Sequence, residues 1–251
     1  MRATLEVCVD TLEGLMACVE GGADRIELCS ALPLGGLTPS HGLMRAAAEC
    51  GVPAYAMIRP RQGDFCFSER EIGVMLDDIA AAREAGLAGV VLGAASPQGT
   101  LDEVSLAALC AASDGMGRTL HRVIDTVDDR LAAVETAISL GFERILTSGG
   151  ALTVIEGVTE LGLMQRHARG RIEIMAGSGV SMDNVADIAR ATGIWSFHAS
   201  CSEARQTDSA LSAFGFTTQF ERKTSAQLVR SLKIVLDEIT VPSSRIADAG
   251  A

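Results

Sequence analysis

The chain has 251 residues, of which 48% are hydrophobic and only 4% aromatic. That content supports a sizeable aliphatic core and argues against disorder. Lys and Arg number 21 against 32 Asp and Glu, a formal net charge of −11, and such a surface repels phosphate backbones, so no nucleic acid partner is expected.

Along the chain a short aliphatic run, a turn and an Ala/Leu-rich helical stretch alternate repeatedly. A strand over Thr4–Val9 leads into a helix over Thr11–Glu20, stopped by Gly21 and Gly22. A strand over Arg25–Ser30 precedes a helix starting near Ser40, and a strand over Pro53–Arg59 precedes one from Ser68 to Ala85. Ser68 and Glu71 have the spacing of a capping box. Next come a strand over Gly89–Gly93, a helix over Leu101–Ala112, a strand over Arg118–Ile124 and a helix over Asp128–Leu140. A strand over Arg144–Ser148, a helix over Thr153–His167, a strand over Arg171–Gly177 and a helix over Met182–Ala191 follow. The eighth strand is Trp195–Ser200 and the last helix Ser225–Ile239. Strict alternation implies a parallel sheet with right-handed crossovers. Eight units in about 240 residues match a single (β/α)₈ TIM-type barrel, α/β in class, with residues 1–240 as its domain and 241–251 as a tail expected to fray. An open doubly wound sheet would carry a Gly-rich turn after strand one, where this chain has Asp10, Thr11, Leu12 and Glu13.

The seven cysteines are scattered and odd in number, with no CxxC pair, unlike a secreted disulfide framework. The amino terminus shows no leader pattern. The longest uncharged apolar stretch, around Ala85 to Ala95, falls short of the ~20 residues of a membrane span. A reducing, cytoplasmic setting without membrane contact is expected.

Polar residues inside parallel-barrel strands need a reason, because both faces of such strands are covered. In strand one Leu5, Val7 and Val9 alternate with Glu6 and Cys8, and in strand two Ile26 and Leu28 alternate with Glu27 and Cys29. If the aliphatic set meets the helices, the two Glu-x-Cys triplets point into the barrel. The other strand ends bring Arg59 and Arg61, His121 and Arg122 with Asp125, Ser148, Ser178, and His198 with Ser200. In a barrel these ends converge on one mouth, where such enzymes keep their active sites. Each group also has a bland reading. An inward Glu pairs with an inward Arg such as Arg59 or Arg122. A lone Cys is more often core filler than ligand, which is the expectation for Cys18, Cys50 and Cys110 on helices. The turn at Gly177, Ser178 and Gly179 either cradles a phosphate or simply joins strand to helix.

Taken in order, these stretches resemble the CutC family of copper homeostasis proteins. The resemblance rests on Leu5-Glu-Val-Cys-Val9, Gly22-Ala-Asp-Arg-Ile-Glu-Leu-Cys29, Gly35-Gly-Leu-Thr-Pro-Ser40, Ile58-Arg-Pro-Arg61 and Gly63-Asp-Phe-Cys-Phe-Ser68. It continues through His121, Arg122 and Asp125, then Leu146-Thr-Ser-Gly149, Gly177-Ser-Gly-Val180 and Phe197-His-Ala-Ser200. It covers about residues 4 to 200. It implies a TIM-type barrel, a cytosolic setting and copper(I) bound by the two cysteines that map onto Cys8 and Cys29. Beyond strand eight, residues 202–207 and 215–220 depart from the Arg and Met-x-aromatic pattern expected there. Copper(I) prefers soft thiolate ligands, and strands ~4.8 Å apart can present two sulfurs to one ion. Glu6 and Glu27 would offset the cation's charge while raising the thiol pKa values. An enzyme reading stands beside it: Glu6, Glu27, His121 and Asp125 would move protons. Arg59, Arg61, Arg122, Ser148, Ser178, His198 and Ser200 would hold a small anionic molecule at the mouth. A scaffold without chemistry is the third reading. A homo-oligomer is compatible with the sequence, although no helix face declares itself.

Overall fold

The fold is seen in a computed structural model that describes residues 2–239. The tail assigned to residues 241–251 lies outside the described residues. The first half of the chain alternates β1 (Thr4–Val9), α1 (Leu12–Gly21), β2 (Arg25–Leu28), α2 (His41–Ala48), β3 (Ala54–Met57), α3 (Glu69–Ala85), β4 (Gly89–Leu92) and α4 (Glu103–Ala112). The second half alternates β5 (Gly117–Leu120), α5 (Arg130–Ser139), β6 (Arg144–Thr147), α6 (Val158–Ala168), β7 (Glu173–Ala176), α7 (Val185–Thr192) and β8 (Ser196–Ala199). Strands β1 to β8 pair in sequence order, all parallel, and β8 closes on β1. Closure removes every sheet edge, which is why no strand needs a polar guard on its outer face.

The local signals act as the sequence suggests. The Thr11 side chain accepts from the Gly14 amide at the start of α1, and Gly22 ends that helix with a left-handed φ of 81°. Ser68 and Glu71 make both bonds of the capping box on α3. The aliphatic face of the strands, including Leu5, Val7, Ile26 and Leu28, packs under the helices in one continuous core. The strands are shorter than the apolar runs suggested. The largest correction is at β5, expected over Arg118–Ile124. It stops at Leu120 because His121 Nδ1 accepts from the Val123 amide (3.1 Å), turning Arg122–Thr126 into a 3₁₀ helix. Helix α6 likewise starts at Val158 rather than Thr153.

After β8 the chain leaves the barrel through β9 (Ser202–Gln206), α8 (Ser209–Ala213) and β10 (Phe220–Thr224). Strands β9 and β10 pair antiparallel as a separate two-stranded sheet. Then α9 (Ala226–Glu238) returns to pack against α1. The hairpin was not assigned from sequence, since its residues have no buried face to impose a pattern.

The barrel interior has its own polar floor. Arg144 Nε lies 3.5 Å and Arg25 Nη2 3.6 Å from Glu173 Oε1, and Ser196 Oγ donates to the same oxygen at 2.6 Å. Both guanidinium groups sit over the Tyr55 ring, 5.7 Å away for Arg25 and 4.9 Å for Arg144. Tyr55 fits because β4 and β5 offer no side chain opposite it: a Cβ at Gly117 would lie 2.2 Å from the Tyr55 hydroxyl. Gly117→Ala should therefore destabilise the fold by about 1–3 kcal/mol through overpacking, read as a lower urea midpoint. The penalty should shrink in a Tyr55→Leu background, because the two side chains contend for one space. An equal penalty in both backgrounds would refute this account of the floor.

Candidate metal centre beneath the barrel mouth

Strand pairing sets the site. Glu6 on β1 is registered with Arg25 on β2 and with His198 on β8. All three side chains point inward and meet: Arg25 Nε donates to Glu6 Oε2 at 2.5 Å, and His198 Nδ1 lies 2.8 Å from Glu6 Oε1. Burial works to raise the Glu6 pKa, but Arg25 and His198 outweigh it and hold the carboxyl down at about 2. Glu6 is thus an ionised, fully engaged carboxylate and is not a proton donor near neutral pH. The sequence expectation that an inward Glu pairs with Arg59 or Arg122 is corrected here: the partner is Arg25, one strand away in register.

Two residues further towards the mouth, and so on the same face, Cys8 is registered with Glu27 on β2. Cys8 Sγ, a Glu27 carboxylate oxygen and a His198 ring nitrogen all lie within 4.8 Å of one another. His198 Nε2 is 3.9 Å from Glu27 Oε2, and the Cys29 thiol donates to that same oxygen at 3.5 Å. Glu27 Oε1 is buried without a hydrogen-bond partner, a costly state that a cation or a proton would relieve. Burial pushes the Glu27 carboxyl up, with Glu6 adding to the rise against the pull of His198. Burial lowers the affinity of His198 for a proton, yet Glu27, Cys8 and Glu6 together hold its pKa well above the usual histidine value. Burial and then Glu27 push the Cys29 thiol well up.

Because Glu6 faces Nδ1, the imidazole is oriented with Nε2 towards Cys8 and Glu27. A carboxylate behind a histidine is the usual support of a metal-ligating imidazole, fixing both ring orientation and tautomer. Once Nε2 is deprotonated, the cluster offers one imidazole nitrogen, one thiol and a carboxylate with a free oxygen. Thiol and imidazole suit copper(I), and the whole set also suits zinc. The residues present therefore fit a bound metal ion.

The other expected residues separate into two groups. Asp125 Oδ1 accepts from Thr147 Oγ1 (2.5 Å) and the Gly150 amide (3.0 Å), and the Ser148 amide is 3.1 Å from both carboxylate oxygens. Arg122 Nε donates to Asp125 Oδ2 at 2.7 Å, and Arg122 Nη2 donates to Ser148 Oγ at 2.8 Å. With its oxygens so occupied, Asp125 ties the loop after β6 to the turn after β5. Arg61 is engaged by Glu71 and by Asp64. Ser178 adopts a φ of 76° and donates to the Leu152 carbonyl (2.7 Å), while helix α7 starts only at Val185, so the glycine turn does not open directly onto a helix. Ser200 Oγ accepts from Ser202 Oγ at 2.9 Å. Arg59 and His121 are both buried on the mouth side, and neither has a carboxylate partner among the described residues.

Two residues of the centre, Arg25 and His198, have places that the sequence does not announce. Arg25 shares the inward period of Glu27 and Cys29, and that alternation is the signal that points to it. His198 is expected among the anion binders: a closed barrel sets β8 beside β1, but periodicity does not carry the stagger that brings His198 level with Glu6. Of the cysteines expected on helices, Cys18 and Cys110 are on α1 and α4 and buried, whereas Cys50 lies just past the end of α2 and is half-buried.

Residues 3–203 match the CutC family profile. A CutC family protein of Rhizobium meliloti (strain 1021) is 52% identical over 237 residues, covering 94% of this chain and 97% of its own. One from Sinorhizobium medicae (strain WSM419) is 50% identical over 239 residues, covering 95% and 98%. A solved structure from Streptococcus agalactiae, named for an inferred copper homeostasis role, superposes with a TM-score of 0.76 at 31% identity. It covers 79% of this chain and 98% of its own. This chain belongs to the CutC family.

Proposed function

We propose that the protein binds copper(I) in the reducing cytoplasm, at the cluster beneath the barrel mouth. The observation that carries this is the Cys8, Glu27 and His198 cluster, with Glu6 orienting the imidazole. Cys8 and His198 Nε2 would be ligands, and Cys29 the second sulfur, since its thiol already bonds the Glu27 oxygen that faces His198. Glu27 would balance the cation's charge. The copper homeostasis role named for the Streptococcus agalactiae relative supports the choice of metal. All seven cysteines are free, consistent with a reducing compartment. Among the described residues no helix is long and apolar enough to cross a membrane.

Titration with copper(I) under anaerobic conditions, against a competing chelator, tests the reading. The wild type should take up one ion. Cys8→Ser should abolish tight uptake, and Cys29→Ser and His198→Asn should weaken it, while Cys110→Ser on the outer face of the barrel should bind like wild type. Glu6→Gln should bind about 10–100-fold more weakly, the usual cost of losing the group behind a metal-bound histidine. Circular dichroism separates these losses from unfolding. Wild-type affinity in Cys8→Ser, or tight zinc uptake with no measurable copper(I) uptake, would contradict the assignment.

The pH dependence has a definite sign. His198 carries its proton well above the usual histidine range in the ion-free protein, and that proton must leave Nε2 for a metal to bind. The Cys8 thiol proton must leave as well. Copper(I) affinity should therefore rise with pH, by about tenfold per pH unit for each proton displaced. An affinity independent of pH across neutrality would show that ligands other than these hold the ion.

A further inference from the structure

We propose that a second subsite at the barrel mouth binds the carboxylate of a small organic anion between Arg59 Nε–H and His121 Nε2–H. Both donors are buried and both lack a hydrogen-bond partner. Arg59 is 6% exposed and His121 3%, so neither is satisfied by bulk solvent, and a buried unpaired donor costs the full loss of its hydration.

Pleat alternation aims them into the barrel. Tyr55 and Met57 on β3 point inward, and Arg59 follows in the same period. Thr119 on β5 points inward, where it accepts from Arg144 Nη1 (3.2 Å), and His121 follows it. Between them the end of β4 carries Gly93. A Cβ there would lie 2.1 Å from His121 Cε1, so the imidazole leans over β4 towards β3. Phe65, from the loop after β3, covers both groups. Its ring centroid is 4.9 Å from that of His121, and Arg59 Cζ is 5.0 Å from it. Apolar surroundings of this kind strengthen any bond the donors make to an anion.

The two groups are held in donating form. His121 Nδ1 accepts from the Val123 amide, which leaves the ring proton on Nε2. Burial, and then the Arg59 charge, hold the pKa of His121 down at about 3, so the ring is neutral at working pH. Arg59 is fixed by backbone alone: Nη1 donates to the Leu34 carbonyl (2.9 Å) and the Gly36 carbonyl (3.2 Å), and Nη2 to that of Gly63 (3.0 Å). It therefore keeps an uncompensated positive charge among the described residues. One guanidinium and one neutral donor match a singly charged carboxylate better than a phosphate dianion, which would need more positive charge. The same turn joins this subsite to the metal cluster, because Gly36, with a φ of 83°, passes so close to Cys29 that a Cβ would meet its sulfur at 3.0 Å.

The experiment uses the full-length, metal-free protein labelled with ¹⁵N-histidine. Acetate, succinate, inorganic phosphate and chloride are titrated at matched ionic strength. Acetate and succinate should shift the His121 Nε2–H resonance saturably, with phosphate weaker and chloride without a saturable effect. His121→Phe keeps a ring against Phe65 and should bind succinate roughly tenfold or more weakly in calorimetry, the expected cost of one hydrogen bond to a charged group. Arg59→Gln should do the same. If it fails to fold for want of its three carbonyl contacts, His121→Phe decides alone. A resonance unmoved by both carboxylates, an equal response to chloride, a preference for phosphate, or unchanged succinate binding by His121→Phe would each overturn the proposal. Copper is absent throughout, so none of these results bears on the metal assignment.

Discussion

An ionised carboxylate buried inside a barrel is expensive, costing several kcal/mol in lost hydration unless it is fully partnered. Glu6 meets that condition through strand register alone: Arg25 stands beside it on β2 and His198 beside it on β8. A slip of one residue in either pairing would turn these side chains towards the helices and leave the carboxylate unpaired. The row therefore works as a register lock across the seam where the barrel closes. The cost of breaking it falls on the whole fold rather than on the site alone.

The lock has a direction. On the floor side Arg25 continues to Glu173, which also takes Arg144 and Ser196, so the base of the barrel is a continuous ionic network resting on Tyr55. On the mouth side His198 presents Nε2 to Cys8 and Glu27. The floor pairs its charges internally, although Arg144 Nε makes no hydrogen bond of its own, and on the mouth side Glu27 Oε1, Arg59 Nε and His121 Nε2 are without partners. Buried polar atoms without partners at a barrel mouth are the groups there with capacity left for a bound ion or molecule. A metal and a carboxylate would answer opposite needs there, one supplying positive charge and the other negative.

The fold was legible because every unit repeats one pattern, and because Leu5/Val7/Val9 and Ile26/Leu28 can face only the helices. The same alternation correctly sent Glu6, Cys8, Glu27 and Cys29 inward. Register was not legible: the stagger between strands decides whether Glu6 meets Arg25, Arg59 or Arg122, and periodicity carries no information about it. Closure was expected and sets β8 beside β1, but the same missing stagger left His198, 192 positions from Glu6, unmatched with it. Asp125 illustrates a different limit. Its type and place at a strand end suggested proton transfer, but only the amides of Ser148 and Gly150 and the Thr147 hydroxyl show that its oxygens are already committed. The excursion through β9 and β10 was missed because a hairpin outside the barrel obeys no burial period.

The central claim is that Glu6 turns a histidine into a ligand beside a cysteine sulfur. X-ray absorption spectroscopy of the copper(I)-loaded protein tests it most directly. The account predicts sulfur and imidazole nitrogen together in the inner coordination shell. A spectrum fitted by sulfur alone, or by light atoms without sulfur, would contradict it.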